Sequence, residues 1–227
     1  MLDTTDITII RQRRRSLSLS IKNQALVLKV PLLSSQSTIG HFVNKHAQWI
    51  QESLGLLKQQ HLFSSKHISV ANGDNNILFF GDIYSVSFHE SKQNRVSCNR
   101  DDHSISIHYQ NNKHLHKHIS SFFHKELLCY LEKQVNKYAR QLNKPVQDIG
   151  VKAYKARWGS CSHQGKLQFN ASLVHFPKAI IDYVVIHECC HLVHFDHSSA
   201  FWALVQRFCP DYKRAKAYLK KHQCFIS

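Results

Sequence analysis

Glycine and proline are scarce in this chain, seven and four among 227 residues. That scarcity excludes collagen-like and low-complexity linker architectures, and a hydrophobic content of 43% excludes a disordered chain. Acidic side chains are also few, fifteen against thirty basic ones, leaving a net charge of +15. No apolar run approaches the roughly 18–20 residues that a membrane span needs. The nearest, AIIDYVVI, is interrupted by Asp182. The start, MLDTTDITIIRQRRR, holds no apolar core segment, so a signal peptide is not expected. The seven cysteines are odd in number and contain no C-x-x-C pair. Cys129, Cys189 and Cys209 fall in apolar helical patterns, where reduced cysteine acts as a small buried hydrophobe. A reducing cytoplasm without membrane attachment is the expected compartment. No internal repeat and no recognisable nucleic-acid-binding motif occurs.

The basic excess belongs to the whole body, with only residues 61–110 near neutral. Such a field attracts polyanions or acidic substrates, and it equally serves solubility. Apolar and polar residues alternate over 16–21 and again at Leu26, Leu28 and Val30, which predicts a β-hairpin across a KNQA turn and ending at Pro31. Ser37 is the expected N-cap of one helix with the stripe Ile39, Phe42, Val43, Ile50 and Leu54. A turn at Asn72–Asn76 leads into the strand runs ILFFGDIYSVSF and SISIHY. From about 113 to 142 a helical stripe predicts a helix on the order of 40 Å, long enough to back both halves of the chain. Residues 151–176 return to strand character, Pro177 opens the next helix, and two more helices follow at 198–209 and 211–222.

The third helix of this reading carries His187-Glu188-Cys189-Cys190-His191, with His197 six residues on. Residues four apart share a helix face, so both imidazoles can meet one ion. With this composition a chance His-Glu-x-x-His arises about 0.03 times per chain, so the motif carries meaning. Three neutral imidazoles with one open position suit catalytic zinc. Glu188, beside the first ligand, can accept a proton from a metal-activated water, and an ordinary carboxyl pKa of about 4.3 suits that role. His197 matches the third position of the extended zinc motif H-E-x-x-H-x-x-G-x-x-H, with His194 in place of its glycine. His194 is a rival ligand, but His187 and His194 would sit roughly 10 Å apart along a helix axis. His114 and His118, also four apart, lack a neighbouring carboxylate and read as a solvated face. His46 and His175 have no partner identifiable from sequence.

Arg157-Trp158-Gly159-Ser160-Cys161-Ser162, Gly165, Asn170, the helix opened by Pro177, the His187–His191 motif, His197 and Phe201-Trp202 together resemble the YgjP-like metallopeptidases. That bacterial family is related to the WLM and SprT-like zincins. The resemblance reaches back to Arg13–Ser16 and Val30-Pro31; residues 155–202 are its specific part. It implies that His187, His191 and His197 bind zinc and that Glu188 is catalytic. It also implies an α+β zincin-like core of active-site helix, supporting helix and small antiparallel sheet. Cys189, where a leucine-like residue is usual, and Ala171, where an aromatic is common, depart from the pattern.

The expected layout is an N-terminal β-rich part with one helix over 1–110, then a metallohydrolase part over 111–227, the two forming one compact unit. The expected activity is zinc-dependent hydrolysis of a peptide bond by Glu188-assisted attack of water, on a peptide or protein substrate. Arg157 and Asn170 are the candidate substrate contacts. Arg157 can bind an anionic or carbonyl group or serve structure alone; Trp158 is expected to fill core space and Gly159 to permit a tight bend. Lys166–Val174 is the strand expected to pair with extended peptide, as a strand beside the active-site helix does in zincins. Phe201 and Trp202 are expected to seat the His197 loop. Two alternatives stand beside this reading: a metal-dependent phosphohydrolase acting on nucleoside triphosphates, and a nucleic-acid-associated protein using the Arg11–Arg15 cluster.

Overall fold

Alternation along Ala25–Pro31 buries Leu26, Leu28 and Val30 completely, and this strand organises the first part of the fold. A computed structural model describes residues 7–22, 25–58, 70 and 75–222. Contacts divide the chain into two compact units, Met1–Gln60 and His61–Ser227.

In the first unit, β1 (Ile7–Gln12), β2 (Ser18–Lys22) and β3 (Ala25–Pro31) form a sheet of order β1-β3-β2. The β2–β3 hairpin is antiparallel as expected, although Asn23 and Gln24 of its turn lie outside the described residues. Strand β1 was not expected; it pairs parallel with β3 through residues 7–12, in which only Arg11 is charged. The single expected helix is two, α1 (Gln36–Lys45) and α2 (Ala47–Lys58), broken at His46. Ser35, not Ser37, is the cap: its hydroxyl accepts the Thr38 N–H at 3.1 Å. Ile7, Leu28, Val30, Ile39, Val43 and Ile50 close one small core.

The second unit opens with β4 (Asn76–Phe79), β5 (Asp82–Glu90), β6 (Arg95–Asn99) and β7 (Ser104–Tyr109), ordered β4-β5-β7-β6. The apolar run across residues 77–88 is a hairpin rather than one strand. Phe80 (φ 52°) and Gly81 (φ 93°) form its turn, and a Cβ on Gly81 would lie 2.7 Å from Pro177 Cα. The turn therefore packs on the residue that opens the helix of the His-Glu motif. Residues 72–74 of the expected turn lie outside the described residues.

Helix α3 (Leu115–Gln141) buries Ile119, Phe123, Leu127, Leu131 and Val135 along one stripe. It packs on β6, on β8 (Asp148–Lys152) and on α4 (Lys178–Cys190), so it does back two sheets. Phe79 reaches it through ring contacts with Phe122 and Phe123. For that reason residues 76–109 belong with the metal-motif half, and the units divide at 60/61 where the sequence suggested 110/111. Tyr130 of α3 donates to Asp182 of α4 at 2.7 Å, tying the long helix to the helix of the His-Glu motif.

The remaining sheet has the order β8-β10-β9, with β9 (Gly159–Cys161) antiparallel and β8 parallel to β10 (Lys166–Asn170). It is mixed, not the antiparallel sheet expected, because residues 153–158 return the chain to the far side of β10. Helices α5 (Ser199–Phe208) and α6 (Tyr212–Lys221) complete an α+β fold of six helices and three small sheets among the described residues. No helix among them is long and apolar enough to cross a membrane.

Candidate metal centre

Helical spacing brings His187 and His191 to one face of α4, and the helix ends at Cys190 with His191 as its cap. His197 returns to them because the chain turns and starts α5 at once. Asp196 Oδ1 accepts the Ser198 N–H at 3.2 Å, and the Ser198 hydroxyl caps Phe201 at 3.4 Å. The fully buried Phe201 ring then lies 5.0, 4.5 and 4.9 Å from the rings of His187, His191 and His197. Trp202 stacks on His197 at 5.6 Å, so both aromatics seat this loop.

The donor atoms of His187, His191 and His197 all lie within 4.8 Å of one another. His187 Nε2 and His197 Nε2 are 3.2 Å apart. Two imidazoles on one tetrahedral ion, with bonds of about 2.0–2.1 Å, hold their nitrogens about 3.3 Å apart, so the donors fit a small cation. His191 Nδ1 donates to the His194 carbonyl at 2.9 Å, which fixes the ring and leaves Nε2 for a ligand. His194 thus contributes its backbone, and its side chain is not in the cluster. Burial first, then the neighbouring imidazoles, lowers the His187 pKa to about 3, and burial lowers that of His191. Neutral rings are what a cation requires.

Glu188 points from α4 into the sheet side of the cleft and is 5% exposed. Its carboxylate presses on β9: a Cβ on Gly159 would stand 2.6 Å from Oε1 and 2.9 Å from Cδ. Gly159 is thus a site of close approach and not the bend expected. Burial raises the Glu188 pKa to about 8, against the opposing pull of the Arg157 guanidinium. Burial, aided by Glu188, also pushes the Cys161 thiol up to about 11, which keeps it protonated at neutral pH.

Arg157 is exposed at the cleft mouth, 5.6 Å over the Tyr154 ring. Asn170 is 1% exposed and engaged with backbone: it donates to Tyr154 O at 3.0 Å and Arg157 O at 2.9 Å, and accepts from Ser172 N. No face of it is left for a substrate, and its role is to hold the segment that leads into β9. Trp158, half-buried, packs its ring edge against Phe176 as a space-filling residue.

The strand that borders the cleft also differs from expectation. β10 is central and paired on both sides, whereas β9 keeps one edge open. Asn170 N–H donates to Trp158 O and Ser162 N–H to Lys166 O, which makes 158/170 and 162/166 hydrogen-bonded pairs. By antiparallel alternation Gly159 and Cys161 turn their backbone N–H and C=O toward the open edge.

Two cavities meet at Glu188. One of 320 Å³ runs past Cys161, His191 and Phe195, and one of 370 Å³ lies between α4, α6 and Trp158. Tyr183 and Val184, one turn before His187, line the second, a position helical periodicity alone could have flagged.

A search of curated proteins finds no match. Among solved structures the chain is similar to the crystal structure of the metallopeptidase zymogen of Pyrococcus abyssi abylysin, at 21% identity and a TM-score of 0.38, over 41% of this chain and 95% of that one. The sequence model of the YgjP-like metallopeptidase domain matches residues 15–222, and the chain belongs to that family.

Proposed function

We propose that the protein is a zinc metallopeptidase in which His187, His191 and His197 hold the ion and Glu188 moves the proton. The observation that carries this reading is a carboxylate buried to 5% exposure on the same helix turn as His187 and His191, whose imidazoles converge with that of His197. The nitrogen-only donor set and its spacing favour zinc over harder cations. When bound, the ion polarises the scissile carbonyl and makes water more acidic.

The chain's own residues supply the rest. Glu188 Oε accepts a proton from the attacking water and delivers it to the leaving nitrogen. Its raised proton affinity suits the second half of that task, and a neighbouring cation favours the ionised form needed for the first. The open edge of β9 offers Gly159 and Cys161 backbone groups to an extended peptide, in place of the Lys166–Val174 strand expected. Phe201 and Trp202 exclude water behind the imidazoles. The cytoplasm is the proposed compartment, supported by six free cysteines among the described residues.

Replacing Glu188 with Gln keeps the shape and removes the base. Peptide hydrolysis should fall by about 10³-fold or more while bound zinc, measured by elemental analysis, stays stoichiometric. Undiminished hydrolysis overturns the role of Glu188.

A further inference from the structure

The cavity beyond Glu188 has a chemical character of its own. Its 370 Å³ falls within the roughly 300–1,000 Å³ of small-ligand sites, more than one side chain requires. Tyr183, Val184, Leu219 and Trp158 give it apolar walls, and Arg157, Lys216 and Lys220 stand on its rim. Lys216 and Lys220 are one turn apart on α6, with the buried Leu219 between them. Lys216 is fixed in place, its ammonium 4.4 Å over the Trp202 ring that stacks on His197. Neither lysine joins an ion pair among the described residues, whereas the Arg157 charge acts on the Glu188 carboxyl. Two lysine charges without a carboxylate partner, at an apolar cleft end, constitute an anion-selecting mouth.

Strand direction decides which part of a substrate arrives there. A peptide that pairs with the open edge of β9 antiparallel, the stronger mode per residue, runs from Cys161 toward Gly159. Its residues beyond the scissile bond then enter the cavity at Trp158 and Arg157. Resting on the peptidase reading, the geometry points to a carboxylate-selecting subsite. The residue after the scissile bond sets an apolar side chain against Tyr183, Val184 and Leu219. A carboxylate just beyond it, from an acidic side chain or from the peptide's own C-terminus, meets Lys216 and Lys220.

The test uses the zinc-loaded Glu188→Gln protein and peptides identical up to the scissile bond. They continue as Leu-Gln-amide, Leu-Glu-amide, Leu-Gln with a free carboxylate, or Leu-Lys-amide, and isothermal titration calorimetry reports binding. Both carboxylate-bearing peptides should bind about tenfold tighter than Leu-Gln-amide, and Leu-Lys-amide weakest. A gain for Leu-Glu-amide alone assigns the site to acidic side chains; a gain for the free acid alone assigns it to peptide ends. In a Lys216→Gln/Lys220→Gln background the ratio should collapse to about one, and each single change should lower it, so the result does not depend on the double variant folding. Equal affinities, tightest binding of Leu-Lys-amide, or no binding overturns the subsite. Selective binding without hydrolysis by the unmutated enzyme would instead remove the peptidase reading and leave the subsite standing. Unselective hydrolysis of all four would do the reverse.

Discussion

Gly159 is held to glycine by Glu188 and not by its own backbone torsions, since it is absent from the positive-φ residues. A methyl group there would overlap a carboxylate that has 5% exposure and little room to retreat. Gly159→Ala should therefore displace the Glu188 carboxylate by a fraction of an ångström to an ångström. A shift of that size costs about 10–100-fold in kcat/KM, with zinc content unchanged. Steady-state kinetics beside elemental analysis checks this, and full activity in the variant would mean that Glu188 tolerates displacement. The sequence exposed the histidine pair because four-residue spacing on a helix is local information. It concealed the reason for Gly159, which lies 29 positions away, and the raised Glu188 pKa, which follows from burial.

At the scale of elements, the helix of the His-Glu motif takes its place from contacts made before it begins. His175, on the short 3-10 turn Ala171–His175, donates from Nδ1 to Leu78 O of β4 at 2.7 Å and packs against Phe123 of α3. Burial lowers its pKa from 6.5 to about 4, against the opposing backbone hydrogen bond. The folded chain thus favours the neutral ring, and between those two values the unfolded chain binds more protons. Stability from this site is complete above pH 6.5 and drains away as pH falls toward 4. From about pH 7.5 to about pH 5 the native protein should lose about 2 kcal/mol more than a His175→Gln variant, which keeps a donor but does not titrate. Urea midpoints at the two pH values measure the difference, and parallel losses would show that His175 is not the group responsible. Sequence gave His175 no partner because Leu78 is 97 residues distant. Distance in sequence also hid β1 and the parallel pairings β5–β7 and β8–β10, which periodicity does not encode. The long stripe of α3 and the approximate bounds of α5 were legible because each is built from neighbours within a few turns.

Across the whole molecule, every residue of the candidate centre lies in the second unit, as does the cavity beyond it. The first unit closes a core of its own around β3, α1 and α2. A family match over 15–222 spans both, so relatedness does not separate what the contacts divide. Binding an ion to the native state of one unit stabilises that unit by RT ln(1 + [L]/Kd), about 2.7 kcal/mol at a hundredfold excess of zinc over its Kd. Amides that exchange by opening of the second unit should then exchange about 100-fold more slowly, across α3, α4 and β10. Those of β1, β3 and α1 should keep their rates if the two units open independently. Hydrogen exchange with and without zinc reads both sets in one experiment. Protection confined to the second unit would make the metal centre the stabilising element of that unit alone. Equal protection in β3 would mean that the units open as one, and that the first is coupled to a site to which it contributes no ligand.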